Sequence, residues 1–198
     1  MKLLILGGFL GSGKTSVLLK LAKAITEKDK SSNPSKLVII ENEIGEIGVD
    51  NQLLRSGPYE VSELFSGCAC CSMAGEVISN IRTVMKDFDP NWIVIESSGV
   101  GYPAAIRDNI EKKVGIRGTV CTVVDANRWL VILKPMEMIL TDQIEGTDMV
   151  FVNKTDLVDE ETLKQVDRSV SELVPDAKIF NMSAIKGLPE EVFEVLGV

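Results

Sequence analysis

Four groups of residues in this sequence have types and spacings that can do chemistry. Gly8-Phe9-Leu10-Gly11-Ser12-Gly13-Lys14-Thr15 fits G-x-x-x-x-G-K-[ST], a loop that cradles phosphate. Gly8, Gly11 and Gly13 let the backbone close on phosphate oxygens, and Ser12 and Ser16 complete the cradle. Lys14 is placed to reach the β- and γ-phosphates, and the Thr15 hydroxyl to ligate Mg²⁺. At average composition, chance gives such a match in about one chain of this length in a hundred. The flanking pattern makes chance rarer still. Leu3 to Leu6 is a buried-strand run, and Val17, Leu18, Leu21 and Ile25 follow at helical spacing. A strand turning into a helix aims backbone N–H groups and the positive helix end at one point.

The second group is Asn153-Lys154-Thr155-Asp156, directly after an apolar strand pattern ending at Val152. A carboxylate at Asp156 can accept from both guanine N1–H and the 2-amino group. Adenine lacks that donor pair, so the site rejects it. Asn153 is expected to brace the loop, and the Lys154 stem to cover the base plane. Ser183-Ala184-Ile185-Lys186 follows the next strand, and the Ala184 N–H is expected to donate to guanine O6. Either motif alone reads equally well as a solvated loop; together, after a phosphate loop, they specify GTP and GDP.

Glu96 ends the apolar run Trp92 to Ile95 and occupies the place of a Walker B acid, holding Mg²⁺ through a water. Lys14 and Glu96 are thus the candidate catalytic pair. Gly99 is expected to offer its N–H to the γ-phosphate, a contact made with GTP and lost with GDP.

The last group is Cys68-x-Cys70-Cys71, preceded by a loop carrying Glu41, Glu43, Glu46 and Asp50. Crowded cysteines in a cytosolic protein suggest metal or redox chemistry rather than a disulfide framework. Adjacent cysteines splay their sulfurs apart. Two of the three are therefore expected to bind one ion, with Glu41 or Glu46, water or a second subunit completing a tetrahedron. Zn²⁺ is the default ion, and Co²⁺ and Ni²⁺ are alternatives. Buried structural cysteines are the plainer reading. Cys121, alone in a strand pattern, reads as core.

The elements that must position these groups alternate. Strands are expected at 2–6, 36–40, 92–95, 117–125, 148–152 and 177–181. Helices are expected at 14–28, 73–88, 103–113, 159–173 and 188–196, and residues 127–145 read as two short helices split at Pro135. Residues 41–73 read as a long loop. This is an α/β pattern, a P-loop NTPase three-layer sandwich with a mostly parallel central sheet and helices on both faces. Ligands in such sheets sit at the C-terminal strand ends, where all four groups fall.

The bulk properties narrow the partners. With 198 residues and a net charge of −8, a single domain without a nucleic-acid or anionic-membrane surface is expected. The chain has no histidine, which removes Ser-His and Cys-His catalysis and any His-containing metal site within one chain. Met1-Lys2 runs straight into the first strand, and the apolar stretch from Trp129 to Leu140 is too short to span a bilayer. The expected location is the cytoplasm. That stretch reads mostly as core, with the remainder available to a dimer or client surface.

Taken together, the phosphate loop, Glu41-Asn42-Glu43-Ile44-Gly45-Glu46-Ile47-Gly48-Val49-Asp50, Gly67-Cys68-Ala69-Cys70-Cys71, Ile95-Glu96-Ser97-Ser98-Gly99 and Asn153-Lys154-Thr155-Asp156 resemble the CobW-type P-loop GTPases. These are relatives of the nickel-insertion GTPases UreG and HypB, and C-x-C-C is the most specific mark. The resemblance covers essentially the whole chain as the family's GTPase domain. Typical members carry a second, C-terminal domain, often with histidine-rich metal-binding stretches. Residues 1–198 read as the GTPase domain alone. The resemblance implies a slow GTPase and a metallochaperone that delivers a transition metal to a client metalloenzyme, working as a nucleotide-dependent homodimer. A switch that remodels or reactivates a corrinoid or cobalt enzyme is the alternative. An ATP-using kinase-like enzyme is opposed by N-K-x-D.

Overall fold

The computed structural model describes residues 1–28, 36–41, 60–63 and 73–198. The chain opens with β1 (Lys2–Gly8), α1 (Lys14–Lys28), β2 (Leu37–Glu41) and a short β3 (Glu60–Glu63). Then come α2 (Met73–Phe88), β4 (Trp92–Glu96), α3 (Pro103–Val114) and β5 (Thr119–Asp125). Two short helices, α4 (Trp129–Leu133) and α5 (Glu137–Ile144), lead to β6 (Met149–Asn153), a 3₁₀ turn at Thr155–Leu157, α6 (Glu160–Leu173), β7 (Lys178–Asn181) and α7 (Glu190–Leu196). The strands form one sheet in the order β3-β2-β4-β1-β5-β6-β7, and every pairing is parallel.

Strand side chains alternate between the two faces, and each face meets its own helices. Leu4, Leu6, Val94, Val123 and Phe151 pack with Val17, Leu18 and Leu21 of α1 and Val192 and Phe193 of α7. Leu3, Ile5, Ile93 and Ile95 turn the other way, against Ile78 and Ile81 of α2 and Ile110 of α3. On that same side, Val124, Val150 and Val152 pack under Trp129, Leu140, Ile144 and Val166 of α4, α5 and α6. Helices therefore cover both faces, as the near-continuous apolar strands require. Cys121 is fully buried in the first cluster, and burial pushes its thiol well above the ordinary range, which leaves it inert.

Two expectations change. Part of the stretch read as loop forms β3, paired with β2 at the sheet edge. Glu60-Val61-Ser62-Glu63 has no apolar run to announce it, and an edge strand needs only backbone pairing. The run from Trp129 to Leu140 breaks at Pro135 as expected, but its residues divide. Trp129 and Leu140 are buried, whereas Val131 is 75% and Met138 77% exposed. No described helix is long and apolar enough to cross a membrane.

The register decides what meets at the C-terminal edge. Leu6 of β1 lies level with Glu96 of β4, and Asp125 of β5 with Asn153 of β6. The phosphate loop springs from β1, between Glu96 on one side and the Asp125–Asn153 pair on the other.

Candidate nucleotide site

The turn from β1 into α1 closes with Ser12 N–H donating to the Phe9 carbonyl (3.1 Å), and the helix starts with Val17 N–H on Gly13 O (3.0 Å). Gly13 sits at φ 98°, and a Cβ there would stand 2.4 Å from Asn153 Nδ2, so conformation and space both require glycine. Lys14 is 6% exposed at the start of α1.

On the β4 side, Thr15 Oγ1 donates to Glu96 Oε1 at 3.1 Å, and Glu96 is 5% exposed. Two oxygen donors converging beside a phosphate loop fit a hard, oxygen-seeking Mg²⁺ ion. Beyond Glu96 the chain turns sharply, with Ser97 N–H on Leu6 O (2.9 Å) and Gly101 N–H on Ser98 O (2.9 Å). Gly99 lies against the phosphate loop. A Cβ there would be 2.3 Å from Leu10 Cδ2 and 3.1 Å from the Leu10 nitrogen, so a side chain would force Leu10 to move.

On the β6 side, Asn153 is 2% exposed and holds two loops at once. Its Nδ2 donates to Ser12 O (2.9 Å), and its Oδ1 accepts the Ala184 N–H (2.9 Å). The asparagine therefore ties the phosphate loop to the loop after β7. The Ala184 N–H, expected to donate to guanine O6, is bonded to the Asn153 side chain here. A buried amide has both an acceptor and a donor to satisfy, and Ala184 satisfies the acceptor. The Ile185 N–H, next along and on an 85% exposed residue, donates to no acceptor among the described residues.

Lys154 takes a left-handed conformation, φ 64°, which swings its side chain back over the phosphate loop. Its ammonium donates to Gly11 O and to Asp125 Oδ2, each at 2.6 Å. Asp156 is exposed at the rim. The Ser183 hydroxyl beside it, with its own backbone N–H and the Lys186 ammonium, holds its carboxyl below the ordinary aspartate range. It is a charged acceptor at neutral pH.

Asp125 was not among the residues singled out by motif. Its one signal is an acid ending the otherwise apolar strand Thr119–Asp125. It is 5% exposed, and its other oxygen accepts the Asn127 N–H (3.0 Å). Arg128, just beyond, donates from Nη1 to Leu10 O (3.1 Å). Asp125→Ala is expected to lower GDP and GTP affinity together by about tenfold or more, because it removes the charged partner that fixes Lys154. Fluorescent-nucleotide titration measures this; unchanged affinity would show that Gly11 O alone orients the lysine.

Of the expected metal ligands, Cys68, Cys70, Cys71 and Glu46 lie outside the described residues. Glu41 is described. It ends β2, half-buried, in register with Glu96 on the adjacent strand. Among the described residues, no three metal-binding side chains gather in one place.

Comparison with known proteins follows this geometry. The model of the CobW/HypB/UreG nucleotide-binding domain matches residues 2–181. A zinc-regulated GTPase metalloprotein activator 1 of Dictyostelium discoideum is 27% identical, over 88% of this chain and 44% of the relative. A zinc chaperone CobW of Sinorhizobium sp is 30% identical, over 84% of this chain and 54% of the relative. The chain thus spans about half the length of these relatives. Among solved structures, the hydrogenase maturation factor HypB from Archaeoglobus fulgidus superposes with a TM-score of 0.73 at 18% identity, covering 100% of this chain and 89% of that one. That likeness carries the fold.

Proposed function

The chain belongs to the CobW/HypB/UreG family, and from that premise we propose that it is a GTPase that couples hydrolysis to delivery of a transition metal held at Cys68-x-Cys70-Cys71. The observation that carries the GTP half is Asn153, which locks the phosphate loop to the base loop and leaves the ionised Asp156 at the rim. With Ala184 committed, the Ile185 N–H takes the role of donor to guanine O6.

The reaction is in-line attack of water on the γ-phosphate. Lys14 and the loop amides hold the phosphates and stabilise the charge that develops on the oxygens in the transition state. Thr15 directly and Glu96 through a water would hold Mg²⁺, which would supply charge to offset that of the phosphates. Gly99 offers its N–H to the γ-phosphate.

The metal half rests on position and on kinship. Glu41 ends β2 one strand away from Glu96, so a cargo site that uses Glu41 and the following cysteines shares an edge with the Mg²⁺ site. Two relatives carry the names zinc chaperone and zinc-regulated metalloprotein activator. Zn²⁺ is therefore the first choice of cargo, ahead of Co²⁺ and Ni²⁺, and the client is a metalloenzyme. Exposed Leu10, Val100 and Tyr102 border the phosphate site and suit a second copy of the chain docking when GTP is bound.

The test is an anaerobic titration of the reduced protein with Zn²⁺, Co²⁺ and Ni²⁺, in Mg²⁺-GDP and then in Mg²⁺ with a non-hydrolysable GTP analogue. Tight binding is expected to depend on the nucleotide and to fall by about tenfold or more in Cys70→Ala, which removes a thiolate ligand. Weak binding indifferent to nucleotide would overturn the cargo role and favour a switch acting on a corrinoid or cobalt-enzyme partner.

A further inference from the structure

Gln143 lies on α5 and is 2% exposed, with no part in any phosphate or base contact described above. Its Nε2 donates to two carbonyls of the turn after β4, Gly99 O at 3.1 Å and Gly101 O at 3.2 Å. A buried primary amide with both its hydrogens on one turn fixes the orientation of the peptide units there. These bonds fix the Gly99–Val100 and Gly101–Tyr102 peptide units against α5. The Gly99 N–H belongs to the preceding Ser98–Gly99 unit, whose carbonyl accepts the Gly101 N–H at 2.9 Å, and it donates to no acceptor among the described residues. The same glycine lies against Leu10 of the phosphate loop. Gln143 and Leu10 also line one small enclosed cavity with Asp125, Trp129 and Leu140, so α4 and α5 back directly onto the phosphate loop.

We infer that Gln143 is a positioning residue for the γ-phosphate. By anchoring the Gly99–Val100 and Gly101–Tyr102 peptide units of the turn closed by Ser98 O and Gly101 N–H, it restricts the conformations open to the Gly99 N–H, and it carries any movement of that turn into α5. The inference rests on the GTPase reading and adds to it a residue that distinguishes GTP from GDP without touching either. The physical reason is preorganisation. A turn already held by its neighbours loses little freedom when its N–H meets the phosphate, whereas an untethered turn of glycines must be ordered at that moment. GDP makes no γ-phosphate contact and is indifferent to this tether. The α4–α5 pair exposes Leu130, Val131 and Met138 on its outer side, so a shift of α5 would reach an apolar surface.

The test compares wild type with Gln143→Met, which keeps length and volume but donates nothing, and with Gln143→Glu, whose carboxylate would repel both carbonyls. Affinities for GDP and for a non-hydrolysable GTP analogue, single-turnover hydrolysis and thermal melting are measured on each. Both variants are expected to bind GDP within about twofold of wild type, while the GTP-analogue affinity falls about tenfold and hydrolysis slows at least as much. Equal losses for both nucleotides, or no loss for either, would overturn the inference. Hydrogen exchange on the wild-type protein provides a test that does not depend on the variants folding. Replacing GDP by the GTP analogue should slow exchange in residues 96–102 and also in Glu137–Ile144. Slowing confined to 96–102 counts against the coupling. Failure of wild type to prefer guanine nucleotides would remove the GTPase reading and this inference with it; failure confined to the variants removes only the inference.

Discussion

Lys14→Ala is expected to slow GTP turnover by about 10²- to 10³-fold, the range seen when one preorganised donor to transition-state charge is lost. Lys14 sits 6% exposed at the first position of α1, at the convergence of the loop amides and the helix N-terminus. A short neutral side chain leaves the phosphates with the amides alone. Nucleotide binding should weaken less than turnover, since the charge on the γ-phosphate oxygens is redistributed most as the bond breaks. Steady-state hydrolysis alongside GDP titration separates the two effects. Equal losses in both would mean that Lys14 serves binding only.

Asp156→Asn is expected to lower GTP affinity by about a hundredfold or more, while leaving the melting temperature nearly unchanged because Asp156 is exposed and packs against little. In the proposed base site the carboxylate accepts from two guanine donors, N1–H and the 2-amino group. An amide in its place turns one hydrogen toward a donor and leaves that pair repelling. Xanthine carries a carbonyl where guanine carries the amino group, so the variant should prefer XTP to GTP. Competition against a fluorescent guanine nucleotide measures both changes. The pH dependence has a definite sign. The carboxyl is held below the ordinary aspartate range, chiefly by the Ser183 hydroxyl, so it stays an acceptor as pH falls through that range. Base recognition is then lost only where the depressed carboxyl itself takes up a proton.

Much of this arrangement was legible in the residues. Apolar strands alternating with amphipathic helices give parallel pairing and two covered faces, because only that layering hides a strand that is apolar on both sides. The phosphate loop, Glu96 and the Asn153–Asp156 motif fell at strand ends because ligand-bearing turns in such sheets lie there. The edge strand at Glu60–Glu63 was not legible, since its pairing is made by backbone and its side chains carry no pattern. Nor was the division of residues 129–140 into buried and exposed, because two short helices that pack by one face each give no clean period.

The sequence by itself determined the residue types from which we propose a phosphate cradle, a guanine-reading carboxylate, a Mg²⁺-holding acid and a cysteine metal site. These follow from residue type and from spacings within single turns, which local geometry sets. Only the tertiary structure decided how the pieces are tied. Asn153 gives its amide to Ser12 and Ala184, which ties the phosphate loop to the loop after β7. Asp125 fixes Lys154 from the neighbouring strand, and Gln143 reaches Gly99 across a separation of 44 residues. Such partners are set by strand order and register, and by the demand that every buried polar group find a mate. Sequence separation carries no record of that demand.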